Sequence, residues 1–404
     1  MNIMKNVKLS AWAAGLLLTA TAQGAFAQTS SNGQKTSGDD VRTISTAVPF
    51  LRISPDARSG AMGDVGIALS PDANAQYWNV GKLAMAKKDM GFSVTYTPWL
   101  KDLVPDIFLG YISGYKKFGQ DGNQAVSASF RYFSLGEINY TDINGGSIGT
   151  GRPRELAFDV GYSRKLSNVF SAGIAMRYIN SNLTTGADLS NNSAVQASKP
   201  GNAVAADLGF FYSKDFEKEE GIVNNFSAGL TFTNLGSRIS YNNGATKDFL
   251  PANMGLGAAY TVGIDEYNKM TFAADINKLL VPSPQLDSNG HPYMPVNKSM
   301  VSGLFGSFTD APGGFSEEMR ELMFSLGVEY WYQDQFAVRA GYYYEDKTKG
   351  NRKYFTLGAG VKYNVFGLNV SYLVPSGSGI TRNPLSNTFR FSLTFDFDAI
   401  KKDS

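Results

Sequence analysis

From Thr388 to Phe397 the chain alternates without a fault. Phe389, Phe391, Leu393, Phe395 and Phe397 fall on one side, and Arg390, Ser392, Thr394 and Asp396 on the other. Successive side chains of a β-strand leave opposite faces, so this segment has one apolar wall and one polar, charged wall. The dyad recurs upstream. Val126, Ala128, Phe130 and Tyr132 alternate with Ser127, Ser129 and Arg131; Leu156, Phe158, Val160 and Tyr162 alternate with Ala157, Asp159 and Gly161. Alternating segments of about ten residues separated by turns are the signature of a transmembrane β-barrel. A soluble sandwich alternates too, but its apolar face is a shared core and seldom needs so many long, aromatic-ended strands. The pattern predicts an all-β fold, a transmembrane outer-membrane β-barrel of about fourteen antiparallel strands.

The strands are expected near 90–97, 106–115, 123–132, 155–165, 169–180, 204–214, 225–235, 253–262, 269–277, 322–331, 336–345, 354–363, 367–374 and 388–397. Connections after even-numbered strands are short, such as Leu166–Asn168 and Asn364–Phe366. Those after odd-numbered strands include the long ones, Phe133–Arg154, Ser181–Ala203, Gly236–Ala252 and Lys278–Glu321. Outer-membrane barrels have short periplasmic turns and long extracellular loops, so both termini are expected in the periplasm and the long loops outside the cell. The inward positions then hold Arg131, Asp159, Arg177, Asp207, Asp275, Glu329, Arg339, Lys362, Arg390 and Asp396. Both signs are present in balance, which suits a structural salt-bridge network in a filled lumen better than a one-sign ion filter.

The N-terminus sets the compartment. Lys5 and Lys8 precede a mostly apolar run, Leu9 to Ala22, and Ala25-Phe26-Ala27 is a small-x-small cleavage site, so residues 1–27 are expected to be a secretory signal peptide. Residues 28–40, rich in Ser, Gly, Gln, Asn and Thr, read as a disordered leader. Residues 41–89 carry turn and cap signals instead of a dyad and are expected to form a short, plug-like helical and irregular segment inside or under the barrel, which occupies 90–397. Residues 398–404 remain as a periplasmic tail. The chain has 37 Lys+Arg and 35 Asp+Glu, and removing Lys5 and Lys8 leaves 35 of each, with no basic cluster to suggest nucleic acid. Mean hydropathy is −0.19. That polar average suits a barrel, where half of each strand faces lipid.

Enzyme chemistry is nearly absent from the sequence. There is no Cys, and His291 is the one His, lying between Gly290 and Pro292 in the longest loop. Zinc sites of the usual kinds cannot be assembled from that inventory. Gly255-x-Gly257 sits in a strand pattern with no helix after it and is no dinucleotide loop. A loop turn explains Asp142-Ile-Asn-Gly-Gly146 better than a Ca²⁺ site. No enzyme activity, cofactor or metal is expected. The loop 278–321 stands out by its apolar content: Leu279, Leu280 and Val281, then Leu304, Phe305, Phe308 and Phe315. Ser316 is expected to cap a short helix from Glu317 to Met323. A loop this apolar must plug the lumen or cover a partner.

Three runs carry a family likeness. They are Ala47-Val-Pro-Phe-Leu-Arg-Ile-Ser-Pro-Asp-Ala-Arg-Ser59 with Gly60-Ala-Met-Gly63, then Pro71-Asp-Ala-Asn-Ala-Gln-Tyr-Trp-Asn79, and in the loop Gly303-Leu-Phe-Gly-Ser-Phe-Thr-Asp-Ala-Pro-Gly-Gly-Phe315. The chain resembles the PorV family of the type IX secretion system, whose barrels are FadL-like. Asn79 is followed here by Val80-Gly81 where FadL-like proteins usually have Pro-Ala. The resemblance implies a non-enzymatic component that sits in outer-membrane lipid beside the giant translocon barrel. It would bind secreted cargo by its C-terminal signal domain and shuttle it to a surface attachment complex containing a sortase-like peptidase. The alternative is a FadL-type channel for hydrophobic small molecules.

Overall fold

The computed structural model describes residues 42–99, 106–141, 146–183, 199–217, 222–242, 244, 246–288, 292–295, 298–374 and 387–398. The expected signal peptide and leader, His291, and residues 399–404 lie outside them, as does Asp142.

Fourteen strands close into one antiparallel barrel. Taking only the wall strands, they are β1 (Met90–Pro98), β2 (Ile107–Phe118), β3 (Gln124–Leu135), β4 (Arg154–Lys165), β5 (Phe170–Asn182), β6 (Gly201–Glu217) and β7 (Val223–Gly236). The second half is β8 (Asn253–Gly263), β9 (Asn268–Leu279), β10 (Leu322–Tyr332), β11 (Phe336–Tyr344), β12 (Lys353–Tyr363), β13 (Phe366–Val374) and β14 (Phe389–Phe397). Each overlaps the segment where the dyad predicts it. β1 closes on β14 with Met90 opposite Phe397 and Tyr96 opposite Phe391. A closed sheet has no edge, so each wall strand pairs with a neighbour on both sides, as hydrocarbon requires. Burial alternates residue by residue along β1 and β4. Phe92, Phe130, Phe158, Met176, Leu256, Leu326 and Phe391 face outward. No helix among the described residues is long and apolar enough to cross a membrane; the strands do the crossing.

Connections after even-numbered strands are tight: 119–123, 166–169, 264–267, 333–335 and 364–365. Those after odd-numbered strands are longer and define a second rim, with 280–321 the longest. The barrel therefore has a short-turn rim, where β1 starts and β14 ends, and a long-loop rim.

Residues 42–89 fill the lumen with short turns, Pro49–Arg52, Ala57–Gly60, Ala75–Trp78 and Val80–Met85. Such short helices gain little from propensity, and packing holds them. Phe50 and Leu51 pack with Leu109, Phe133, Ile179 and Leu250 toward the long-loop rim. Met62, Val65 and Leu69 meet Ala259 and Ala273 in the wall. The wall makes room by dropping side chains. Gly341 lies so close to Met62 and Gly63 that a Cβ there would collide with their backbone, and Gly63 itself has φ +70°.

Polar anchors ring the plug. Ala57 N–H donates to Ser392 Oγ on β14 at 2.8 Å, and Gly63 N–H to Thr356 Oγ1 on β12 at 2.8 Å. Gly66 and Ile67 N–H both donate to Asp275 on β9, at 2.7 and 3.0 Å. Ser227 on β7 and Ser171 on β5 donate to the carbonyls of Ala68 and Gly81, each at 2.7 Å. Buried backbone groups must be paired, and here the wall supplies partners that a four-residue helix cannot. Asn79 takes three: its amide donates to Ile67 O at 3.2 Å and Phe210 O at 3.0 Å, and its oxygen accepts from Gly81 N at 3.0 Å. Val80-Gly81 fits this corner because Gly81 lies against Gly209 of β6, where a Cβ would clash.

Candidate functional site

The inward charges sort into separate groups rather than one network. On one side Arg131 and Arg177 share Asp159, and Arg177 also holds Asp207 at 2.7 Å. A bulge in the β6–β7 pairing turns Asn234 (φ 57°) inward, where its N–H donates to Asp207 at 2.7 Å and its oxygen accepts from Arg177. Opposite, Glu329 receives Arg339 at 2.7 Å and the plug's Arg58 through two bonds of 2.8 and 2.9 Å. Arg390 faces Asp64 of the plug at 3.7 Å. Lys362 pairs with Asp396 at 2.7 Å toward the short-turn rim, half-exposed and apart from the rest. Asp275 makes no ion pair among the described residues; the Gly66 and Ile67 N–H groups bind its Oδ2, and its Oδ1 is buried without a hydrogen-bond partner. Buried charges persist only when paired or hydrogen-bonded, and this arrangement holds the plug. Arg58 was hidden in the plug's sequence, since nothing local shows its distant carboxylate.

The loop 280–321 is the other candidate, and its residues divide by exposure. Leu279, Leu280 and Val281 are buried, so they anchor the loop and offer nothing to a partner. Leu304 is half-buried. Phe305 (70% exposed), Phe315 (79%) and Phe308 (41%) stand out from the surface with Val301 and Met319. The helix Met300–Gly306 starts at Ser299, whose hydroxyl accepts from Ser302 N–H, and the spacing i, i+4 puts Val301 and Phe305 along one side, with Phe308 in the turn that follows. The second helix runs Phe315–Arg320, not Glu317–Met323. Its N-cap is Gly314 (φ 67°) rather than Ser316, and the chain turns into β10 at Leu322. A left-handed residue closes that corner, which glycine permits and serine would not.

A buried ion cluster fixes this loop to the rim. Lys278 reaches Glu321 at 2.7 Å and Glu318 at 2.9 Å, and Lys349 reaches Glu317 at 2.6 Å and Glu321 at 2.9 Å. Arg42 adds a contact to Glu317 at 2.9 Å, and Ser283 donates to Glu321 at 2.7 Å. Burial pushes the Glu317 carboxyl up, but Lys349, the Gly313 N–H and Arg42 outweigh it and hold the group below its usual value. The result is three cations against three carboxylates. The apolar side chains of the loop therefore stand on a fixed base.

The fold and these groups define an integral outer-membrane β-barrel whose lumen is filled by its own N-terminal segment. The model of the family described as "Type IX secretion system protein PorV" matches residues 36–286, and the chain belongs to that family. Neither this family nor the barrel architecture is of an enzymatic kind. No curated protein matches the chain. Among similar solved structures, the P. putida toluene transporter TodX is 12% identical, with 85% of this chain and 99% of that one covered and a TM-score of 0.49. The Ralstonia pickettii toluene transporter TbuX is 11% identical, covering 85% and 98%, with a TM-score of 0.46. A Pseudomonas aeruginosa FadL homologue is 11% identical, covering 88% and 100%, with a TM-score of 0.42.

Proposed function

We propose that this protein is a non-enzymatic outer-membrane carrier of type IX secretion. It receives secreted proteins by their C-terminal signal domain at the giant translocon barrel and hands them to the surface attachment complex with its sortase-like peptidase. In this reading the long-loop rim faces the cell exterior and both termini face the periplasm. Family membership supports the setting. The observation that carries the partner surface is the set of exposed phenylalanines, Phe305, Phe308 and Phe315, on a loop held by buried ion pairs. Large apolar side chains kept in water by a rigid base are suited to a protein partner, where such anchors supply most of the binding energy. The competing channel reading needs a continuous apolar path, whereas the plug is bonded to strands around the lumen.

The test is the triple change Phe305→Ser, Phe308→Ser and Phe315→Ser. The barrel should keep its heat-modifiable folded form. Each lost anchor should cost the partner complex about 1.5–3 kcal/mol before reorganisation. Secreted cargo should accumulate in the periplasm while uptake of oily solutes stays normal. Intact secretion with reduced uptake would favour the channel, and no change in either would make the loop a passive cover. A cysteine placed at Ser288 in the same loop should take an impermeant maleimide on intact cells; silence there would invert the orientation.

A further inference from the structure

Between the plug and the long-loop half of the wall lies a cavity of about 140 Å³. Its position follows from its walls: Trp99 comes directly after β1, Asn253 opens β8, Tyr354 is near the start of β12, and Arg390 near the start of β14. Four guanidinium groups line it, from Arg52, Arg177, Arg352 and Arg390, and Asp64 is the one carboxylate in the lining. The four are not equally served. Arg177 has Asp159 and Asp207 behind it, and Arg352 has Glu345 at 2.7 Å. Arg390 has Asp64 at 3.7 Å, and its Nε and Nη1 have no hydrogen-bond partner. Arg52 has no ion pair among the described residues; its guanidinium reaches only the Met323 thioether, at 2.7 Å.

A thioether is a weak acceptor and an arginine cannot shed its proton, so Arg52 keeps an uncompensated charge inside the barrel. An unpaired charge in a partly buried site is costly, and the one carboxylate of the lining, Asp64, already faces Arg390. We propose that this cavity is a carboxylate-binding site, in which Arg52, reinforced by Arg352, holds a small carboxylate that is either free or the end of an extended chain. A planar monoanion matches the fork of a guanidinium. A dianion would meet the Asp64 charge at greater cost. The volume is close to that of a cavity known to admit a benzene-sized guest, about 150 Å³, so a short acid with one or two waters fits and a folded module does not. The site is separate from the exposed loop, so this proposal and the carrier reading can fail independently.

Trp78 and Trp99 line the cavity and report on it. The full-length protein in detergent is titrated with sodium propionate at constant ionic strength, and tryptophan fluorescence is followed. A saturable change is expected. Arg52→Met, which keeps the volume and removes the charge, should weaken binding at least about tenfold, as expected for one charge-assisted hydrogen bond. Asp64→Asn should strengthen it several-fold. Asp64 sits at φ 61°, a conformation asparagine tolerates, and an amide oxygen can still accept from Tyr354, so this variant tests the site independently of any folding defect in Arg52→Met. A tripeptide with a free C-terminus that competes with propionate, when its amide does not, identifies a chain end as the ligand; competition by neither identifies a free acid. Absence of saturable binding, equal affinity in folded Arg52→Met, or weaker binding in Asp64→Asn overturns the proposal.

Discussion

Glu321 is the centre of the cluster that mounts the long loop, and Glu321→Gln should undock that loop without unfolding the barrel. Its side chain is fully buried and accepts from Lys278 at 2.7 Å, Lys349 at 2.9 Å and Ser283 at 2.7 Å. Glutamine keeps the shape but removes the charge and points an amide donor at one of the ammonium groups. Three cations then face two carboxylates. Removing one member of a buried pair costs about 3–5 kcal/mol. Lys278 keeps Glu318 and Lys349 keeps Glu317, so the lower end, about 3 kcal/mol, is the expected loss. That raises the undocked population about a hundredfold, since about 1.4 kcal/mol is a factor of ten. Cleavage of an opening segment follows its open population when closing is fast, so trypsin should cut at Lys298 or Arg320 about a hundred times faster. The heat-modifiable mobility of the barrel should not change. The control is Glu137→Gln, which breaks the exposed pair with Arg152 and should leave both measurements alone. A cleavage rate within about threefold of the parent protein would show that the cluster does not hold the loop.

Two further outcomes follow from the same geometry. Phe391→Arg puts a charge on the lipid face at a cost of about 2–4 kcal/mol, while Ser392→Arg has no space at all, because Ser392 is buried against the plug and accepts from Ala57 N–H. Both should reduce the heat-modifiable form, and a normally folded Ser392→Arg would mean that the plug does not pack there. The lowered Glu317 value gives a pH dependence. A carboxylate depressed in the folded state contributes fully above its ordinary value of 4.5 and loses that contribution as pH falls through the folded value. Hydrogen exchange in 311–321, corrected for intrinsic rate, should therefore be protected near neutrality and speed up in strong acid; faster exchange on raising the pH instead would reverse the sign.

The wall was readable because a strand in a bilayer must answer lipid and lumen at every second residue. That demand is written into each strand separately, so β14 and β4 could be found without knowing their neighbours. The long and short connections were readable for a related reason, since they are what remains between dyads. The plug's attachments were not. Gln76 and Asn79 are single polar residues with no periodicity, and their partners, Ser127 and Phe210, lie far along the chain. The inward charges were visible as a set but not as pairs; only the barrel's register shows that Arg177 meets Asp207 while Lys362 stands apart with Asp396. The loop cluster left one trace, Glu317, Glu318 and Glu321 crowded within five residues of a loop rich in apolar side chains. Gly313-Gly314 beside them was a better guide than Ser316 to where the helix Phe315–Arg320 starts.

The distribution of the plug's anchors bears on where this barrel acts. Bonds to β5, β7, β9, β12 and β14, with the Arg58–Glu329 pair on β10, surround the segment rather than hinge it on one side. A neutral hydrogen bond contributes about 0.5–1.5 kcal/mol net and one to a charged group about 1.5–3, so clearing the lumen costs on the order of 10 kcal/mol before any apolar packing is counted. A ligand could drive that opening only through an equal difference in affinity between filled and emptied states, far above the about 1–3 kcal/mol of ordinary coupling between sites. Glycine-lined contacts add to the barrier, because Gly341 and Gly209 leave the plug seated against wall backbone with no side chain to swing aside. Passage through the lumen is thus the costly route for this chain. The inexpensive surfaces are those already in contact with lipid or water, and among them the phenylalanines of the long loop are the ones whose exposure the barrel itself does not require.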